Sequence, residues 1–395
     1  MEEMYSIAVL ILSGIFLAKI IGKLKFPDVT AYLLAGILIG PSVLGLLSRD
    51  QVKAMEIISE VALAFIAFSV GSEMNIKSIQ KIGTKILLVT FFEAFGAFLV
   101  VSLGSMLIFK ESVGFSIVLG SIACATAPAA TLMVIKQYKA KGDLVDILIP
   151  VVALDDAVGI IIFGISSSIA IALQAGTGLA LSSMLLKPLW EIILALLIGL
   201  AFGLIFIFVS KKLKSDDQLF SFTIAMIFIA AAASLYFNVS SLLALMAMGL
   251  LIANVGHVPR RYQSLIGNVT PPIFIAFFVL SGADLDLSAL TSVGLLGVFY
   301  VVARVIGKLL GTFFSTKMAG FPENVQKYLG LTLVPQAGVA IGLSLIASKI
   351  LPDPFGAQVR TVVLGATIIY ELVGPLTAKY ALTKAGQIDP ANLKK

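Results

Sequence analysis

The sequence predicts an all-α polytopic membrane protein with about 13 transmembrane helices. Its composition is the first reason: 59% of the 395 residues are hydrophobic and 13% are charged, whereas about a quarter of a typical soluble domain is charged. The second reason is a series of 13 apolar runs, most of them near the roughly 20 residues that cross a bilayer. The third is that Lys and Arg concentrate in alternate loops between these runs.

The apolar runs follow one another through short connections rich in turn-forming residues. Each run is expected to form one transmembrane helix, apart from interruptions described below. The runs cover approximately residues 4–23, 29–47, 54–72, 84–109, 113–136, 144–173, 183–210, 217–236, 239–256, 268–282, 291–316, 326–350 and 359–383.

The basic residues predict the orientation of the chain, because basic loops are retained on the cytoplasmic side of a membrane. One set of alternate loops holds 20 of the 28 Lys and Arg residues, and the other set holds six. We therefore expect the N-terminus outside and the C-terminus in the cytoplasm, in a plasma membrane of bacterial or archaeal type. Loops facing anionic lipid account for the net charge of +6, so the expected partner is the lipid bilayer and not nucleic acid.

Two adjacent carboxylates, Asp155 and Asp156, lie inside the apolar stretch from Ile147 to Leu173, which has no other ionisable group. Ionised side chains at membrane depth are costly, and they usually mark ion pathways or proton relays. The pair therefore predicts an ion-coupled transporter in which Asp155 and Asp156 bind the proton or the transported metal cation.

The remaining two basic residues, Arg304 and Lys308, lie deep within the eleventh run. Their i, i+4 spacing puts them on one face of a helix. Glu93 and Glu371 lie at comparable depth, in addition to the two aspartates. If both cations are ionised, two of the four negative charges remain to be neutralised by protons or by a bound metal cation. We expect Lys308 to be the charge partner of the site. Arg304, Glu371 and Glu93 are candidates for a core salt bridge, with either acid as the partner of Arg304.

The chain contains a weak internal repeat. Residues 71–76 are echoed by residues 282–287, and Pro128 is echoed by Pro335 at a similar offset. This offset corresponds to seven runs, an odd number, so the two halves would be inserted with opposite topology. An inverted repeat of two six-helix halves, with the seventh run as connector, is a transporter architecture.

Proline and small or polar residues interrupt runs 5 and 12. Proline removes a backbone donor and clashes with the preceding turn, and freed carbonyl groups at membrane depth require protein or a watery cavity to satisfy them. Two interruptions in symmetric positions predict two unwound helices. The residues expected to line them are Thr126, Ala127, Pro128, Thr131, Pro335 and Gln336.

Enzyme classes fit these residues poorly. An intramembrane aspartyl protease needs two aspartates that face each other from different helices, whereas Asp155 and Asp156 are consecutive. A serine intramembrane protease needs a histidine near its serine, and the single His257 lies in an apparent loop. One cysteine, Cys124, excludes a disulfide framework and a multi-cysteine metal site. We expect no enzymatic activity and no cofactor.

The 13 runs, the Thr126-Ala127-Pro128 interruption, the Asp155-Asp156 pair and the segment from Arg304 to Lys308 together resemble the cation/proton antiporter superfamily. The resemblance is to the branch of bacterial sodium/proton antiporters with two adjacent aspartates, and it covers essentially the whole chain. It implies exchange of protons for Na⁺ or Li⁺. It also implies that Asp156 binds the cation or proton, while Asp155 forms a switchable ion pair with Lys308.

The same resemblance implies a domain organisation. Residues 83–174 and 291–384 would form the two halves of a core domain, in which the two unwound helices cross. Residues 1–82 and 217–282 would form a dimerisation domain, with 183–210 as the connector helix. The core would move against the dimerisation domain like an elevator, and the protein would be a homodimer.

Two positions depart from the pattern of the superfamily. Ala127 stands where many relatives carry an acid, and Gln336 begins a segment in which many have a basic residue and a glutamate. Thr126, Thr131 and Gln336 are therefore expected to satisfy the ends of the half-helices.

Coupling follows if one buried carboxylate can hold either a proton or a metal ion, but not both. Nothing in the sequence measures the diameter of the ion site. A potassium/proton antiporter of the same fold is therefore the main alternative, and a sodium-coupled organic-acid symporter is a weaker one.

Overall fold

Helices make up most of the described chain. The computed structural model describes residues 2–24, 26–73, 76, 83–175, 181–213, 215–255, 261–285, 287, 294–352 and 354–394, and no strand occurs among them. The predicted all-α class is confirmed. His257, the start of the run at 291, and Met74, Asn75 and Asp286 of the repeated segments lie outside the described residues.

The helices follow the predicted runs in chain order. Runs 5 and 12 each correspond to two helices, and the short helix α3 is an addition that the runs did not predict. The bounds are α1 Glu2–Ile21, α2 Asp28–Ile39, α3 Arg49–Ala54, α4 Glu56–Glu73, α5 Lys85–Ile108, α6 Val113–Ile122, α7 Pro128–Tyr138, α8 Asp143–Ala175, α9 Leu181–Ser210, α10 Asp216–Tyr236, α11 Ser241–Asn254, α12 Arg261–Asp284, α13 Gly294–Met318, α14 Glu323–Thr332, α15 Gly338–Ile350 and α16 Phe355–Lys384.

Seven segments of the described chain are long and apolar enough to cross a bilayer: Met4–Ile21, Lys85–Ile108, Asp143–Gln174, Trp190–Ser210, Asp216–Tyr236, Gly294–Met318 and Phe355–Lys384. Several other apolar helices are shorter, including α2, α6 and α11. Helix α6 is short because it is one half of an interrupted run.

The chain divides into two compact units. The first comprises residues 1–21, 31–81 and 189–284, and the second comprises residues 22–30, 82–188 and 285–395. All of the predicted site residues belong to the second unit. The assignment of a dimerisation role to 1–82 and 217–282 and of a core role to 83–174 and 291–384 stays a prediction, as does the inverted repeat.

Glycines let helix backbones touch within the first unit. A Cβ at Gly71 of α4 would lie 2.0 Å from the carbonyl oxygen of Met246 in α11, and one at Gly249 of α11 would lie 2.4 Å from that of Phe68. Small residues of this kind allow close helix approach in membranes, where van der Waals packing is a main driving force for association.

The second unit contains the same kind of contact between α5 and α13. A Cβ at Gly311 would lie 2.1 Å from the carbonyl oxygen of Phe92, and one at Gly307 would lie 2.5 Å from that of Gly96. Helix α13 therefore places the face that carries Arg304 and Lys308 directly against α5. Both basic side chains are fully buried.

Packed apolar side chains surround the two interruptions of the second unit. Phe115, Ile122, Tyr300, Val363 and Tyr370 are each at most 1% exposed, and they belong to one hydrophobic cluster. Such packing leaves little room for water, so the polar groups within it depend on one another for hydrogen bonds.

The α5–α13 contact predicts that Gly311→Ala lowers the melting temperature of the detergent-solubilised protein. The added methyl group overlaps a backbone carbonyl, and overpacking costs about 1–3 kcal/mol. Gly342→Ala in α15 is the matched control, because its Cβ would meet nothing within 4 Å and alanine is the better helix former. Equal melting temperatures for the two variants would contradict the contact.

Candidate ion site

The two interrupted runs meet at their breaks. Helix α6 ends at Ile122 and α7 begins at Pro128, while α14 ends at Thr332 and α15 begins at Gly338. The N–H of Ala127 donates to the carbonyl oxygen of Pro335 at 2.9 Å. The hydroxyl of Thr131 donates to the carbonyl oxygen of Thr332 at 2.9 Å. The predicted unwound segments are therefore present, and hydrogen bonds join them.

Arg304 connects both breaks through its guanidinium group. Nε donates to the carbonyl oxygen of Ala123 at 3.0 Å, and Nη1 donates to that of Val334 at 2.7 Å. Nη2 donates to Ala125 at 2.7 Å and reaches Pro335 at 3.4 Å. Helix ends leave carbonyl groups without an intrahelical partner, and the planar guanidinium offers five N–H donors. One side chain thereby satisfies carbonyl oxygens from both breaks.

Two buried tyrosines support this arrangement. The guanidinium carbon of Arg304 lies 4.5 Å from the centre of the Tyr370 ring, and the Tyr370 hydroxyl donates to the carbonyl oxygen of Val301 at 3.0 Å. Nε2 of Gln336 donates to the carbonyl oxygen of Ile122 at 2.9 Å, and the Tyr300 hydroxyl lies 3.2 Å from Oε1 of Gln336. Gln336 thus satisfies the C-terminal end of α6.

Lys308 lies one helical turn beyond Arg304, in a pocket of carboxyl groups. Its Nζ donates to Oε2 of Glu93 at 2.7 Å and to Oγ1 of Thr126 at 2.7 Å. Oδ2 of Asp155 lies 3.5 Å from the same nitrogen. The side chains of Lys308, Glu93 and Asp155 are all 0% exposed. The structure therefore gathers side chains from α5, α8 and α13 and from the break before α7.

The carboxyl groups are only partly satisfied by this ammonium group. Among the described residues, no hydrogen-bond partner is found for Oε1 of Glu93, either oxygen of Asp155, or Oδ1 of Asp156, and all four atoms are buried. Buried polar atoms normally have partners. Oxygen atoms of this kind are the ligands that hard cations prefer, and each carboxyl group could instead hold a proton.

A family profile described as "Sodium/hydrogen exchanger, transmembrane" matches residues 7–384. The chain belongs to this family. The resemblance to the cation/proton antiporter superfamily is thereby confirmed, while the two-aspartate branch stays a prediction.

The names of two relatives of this chain specify different cations. It is 24% identical to the ammonium/proton antiporter subunit AmhT of Alkalihalophilus pseudofirmus, with 88% of this chain and 87% of AmhT covered. It is 22% identical to the high-affinity sodium/proton antiporter NhaS3 of a Synechocystis species, with 93% and 90% covered.

A solved structure has the same fold. The sodium/proton antiporter MjNhaP1 from Methanocaldococcus jannaschii matches with a TM-score of 0.73 and 19% identity, over 98% of this chain and 99% of that chain.

The two aspartates of this exchanger-family chain differ in their surroundings. Consecutive helical residues project about 100° apart, so Asp155 and Asp156 cannot contact the same partner in the same way. Asp155 is fully buried beside Lys308, whereas Asp156 is only partly buried. The structure therefore brings Asp155, and not Asp156, to the ammonium group.

The contacts of Arg304 differ from those predicted from the sequence. The predicted partners were Glu371 and Glu93, whereas its N–H groups donate to backbone carbonyl oxygens and Glu93 contacts Lys308 instead. Four carbonyl oxygens released by two breaks surround the guanidinium, and a salt bridge between Arg304 and Glu371 stays a prediction. Glu371 lies partly buried on α16, next to Tyr370.

Tyr300 and Tyr370 were not among the site residues predicted from the sequence. For Tyr300 a signal existed, because it precedes Arg304 by four residues and therefore shares its helix face. Tyr370 comes from a distant helix, and its spacing alone gives no such signal.

We predict that Arg304→Lys lowers the melting temperature in detergent, because one ammonium group cannot reach carbonyl oxygens on both breaks. Each buried carbonyl left unpaired costs about 1–3 kcal/mol. Arg360→Lys is the control, since Arg360 is exposed on α16, and it should melt like the unmodified protein. A melting temperature for Arg304→Lys equal to that of Arg360→Lys would show that the carbonyl contacts contribute nothing.

Proposed function

We propose that this chain is a secondary transporter that exchanges protons for Na⁺ or Li⁺ across the membrane. One observation carries the proposal: the Lys308 ammonium group is surrounded by more carboxyl groups than it can neutralise, in a pocket closed to solvent. Membership of the sodium/hydrogen exchanger family supports cation/proton antiport.

The number of carboxyl groups around Lys308 supports the exchange of protons for cations. Glu93 and Asp155 share one ammonium group at 2.7 Å and 3.5 Å, and Asp156 follows directly on α8. Isolated buried charges are strongly unfavourable, so the uncompensated carboxylates require a proton or a metal cation. A carboxylate that holds one cannot hold the other. That exclusion couples the movement of protons to the movement of cations.

Roles are proposed for individual residues on this basis. Asp156 binds the transported cation or proton, in line with the resemblance of the chain to two-aspartate antiporters. Asp155 contributes oxygen atoms to the same ion and lies 3.5 Å from Lys308. Thr126 anchors Lys308 to the first break, while Ala127, Pro128, Thr131, Pro335 and Gln336 line the unwound segments.

The transport cycle is proposed to be of the elevator type in a homodimer. Residues 83–174 and 291–384 would carry the ion as a core domain, and 1–82 and 217–282 would hold the dimer, with 183–210 as connector. All residues of the ion site fall in one compact unit of the chain, which is what a carrier that moves as a body requires. We propose the N-terminus outside and the C-terminus in the cytoplasm of a plasma membrane.

The test of transport uses Asp156→Asn in proteoliposomes. The substituted amide cannot lose a proton to exchange it for a cation, so sodium-dependent proton flux should fall to the level of protein-free liposomes. Asp146→Asn is the matched control, since Asp146 lies on the same helix and is exposed, and its flux should be unchanged. Coupled exchange that persists in Asp156→Asn would remove the proposal.

The choice of cation is tested on the unmodified protein at clamped voltage. We expect Na⁺ and Li⁺ to drive proton release at lower concentrations than K⁺ or ammonium, because carboxylate oxygens favour small hard cations. Ammonium is included because one relative is named as an ammonium/proton antiporter subunit. A response to K⁺ at lower concentrations than to Na⁺ would replace the sodium assignment with the potassium/proton alternative.

A further inference from the structure

Glu93 is a fully buried acid on α5 that contacts Lys308. Its Oε2 lies 2.7 Å from Nζ of Lys308, whereas the nearest oxygen of Asp155 lies at 3.5 Å. Lys308 donates hydrogen bonds to Glu93 and Thr126. Neither oxygen of Asp155 has a hydrogen-bond partner among the described residues. The ammonium group is therefore held more closely by Glu93 than by Asp155.

Backbone packing fixes this pair. A Cβ at Gly311 would lie 3.0 Å from Cα of Glu93, and Gly307 touches α5 one turn earlier, near Gly96. Helices α5 and α13 thus touch on both sides of the Glu93–Lys308 contact. Asp155 comes from α8, where a Cβ at Gly159 would make only an ordinary contact with the first break, at 3.7 Å from the nitrogen of Ala125.

We propose that Glu93, rather than Asp155, is the counter-ion that positions Lys308, and that this pairing leaves the Asp155 carboxylate open to the transported cation. The inference rests on the exchange function proposed above. Glu93 is a positioning residue here, because it acts on the cation through Lys308. Asp155 then has only its longer contact with Lys308, at 3.5 Å, to give up when it binds the cation.

Removing the charge of Glu93 should make Lys308 compete with the transported cation for the oxygen atoms of Asp155. A buried ammonium group that loses its partner is strongly unfavourable, and the oxygen atoms of Asp155 are the nearest alternative. Once Lys308 pairs with Asp155, the ammonium group occupies the ligands that the cation needs. Removing the charge of Asp155 has no such effect on the lysine, because its contacts with Glu93 and Thr126 remain.

The experiment compares Glu93→Gln, Asp155→Asn and the double variant Glu93→Gln/Lys308→Gln with the unmodified protein. Sodium-dependent proton flux in proteoliposomes gives KM and the maximal rate, and thermal unfolding in detergent gives the melting temperature. Glu60→Gln is the control, because Glu60 is an exposed glutamate outside the site. Glu93→Asp tests rescue, since a shorter acid keeps the charge.

We expect Glu93→Gln to raise the KM for Na⁺ by at least about tenfold, the scale of a lost close charge pair, with a smaller change in the maximal rate. Glu93→Asp should recover part of that loss. Glu93→Gln should also melt lower than Asp155→Asn, and the double variant should regain most of the loss because the unpaired ammonium group is gone and Asp155 can become neutral by binding a proton. Glu60→Gln should match the unmodified protein in both measurements.

Two results would overturn the inference. One is an unchanged KM in Glu93→Gln, and the other is a lower melting temperature for Asp155→Asn than for Glu93→Gln. If Glu93→Gln does not fold, the double variant decides. A folded double variant supports action through Lys308, whereas loss of folding in both shows that Glu93 acts independently of the lysine.

Failure of this inference can be told apart from failure of the exchange function. Exchange that depends on Asp156, together with an unchanged KM in Glu93→Gln, removes only the role of Glu93. Exchange that does not depend on Asp156 removes the function on which that role rests.

Discussion

The two helix breaks of the second unit depend on hydrogen bonds from one side chain, the guanidinium group of Arg304. Breaking two helices inside an apolar core exposes carbonyl oxygens that water cannot reach, and each would be costly without a donor. Arg304 supplies donors to carbonyl oxygens of Ala123, Ala125, Val334 and Pro335. The ring of Tyr370 covers the guanidinium at 4.5 Å. Two irregular segments from different halves of the sequence are therefore joined by one side chain.

The candidate ion site is positioned by the same helix that carries Arg304. Tyr300, Arg304 and Lys308 recur every four residues on α13, so they form one stripe. Tyr300 contacts Gln336 of the second break, Arg304 contacts both breaks, and Lys308 contacts Thr126 of the first. Gly307 and Gly311 bring the same face against α5. A single helix face thus supports the breaks and delivers the ammonium group to Glu93.

Much of this architecture could be predicted from sequence, because hydrophobic length and proline position are local properties. The apolar runs gave the order of the helices, and Pro128 and Pro335 located both breaks. Asp155, Asp156 and Lys308 were singled out because charges at membrane depth are rare. None of these steps required knowing which helices are neighbours.

The side-chain partners could not be predicted in the same way. The i, i+4 spacing of Arg304 and Lys308 defines a face but does not say what lies opposite it. Glu93 is 215 residues from Lys308 in sequence, and its contact depends on the glycine packing between α5 and α13. Arg304 was assigned to an acid because sequence shows side-chain charges but not the carbonyl oxygens that a broken helix releases.

The different partners of Arg304 and Lys308 change the charge balance of the site. Both cations were first set against four acids, which left two negative charges. Arg304 is held by hydrogen bonds to carbonyl oxygens, and Lys308 is the cation in contact with Glu93 and Asp155. Two carboxyl groups therefore share one ammonium group, and a third, that of Asp156, follows on α8. One more positive charge is needed when Glu93 and Asp155 are both ionised, and a second when Asp156 is ionised as well. Because the pocket is closed to solvent, those charges must arrive as protons or as a bound cation, and each arrival alters the capacity for the other.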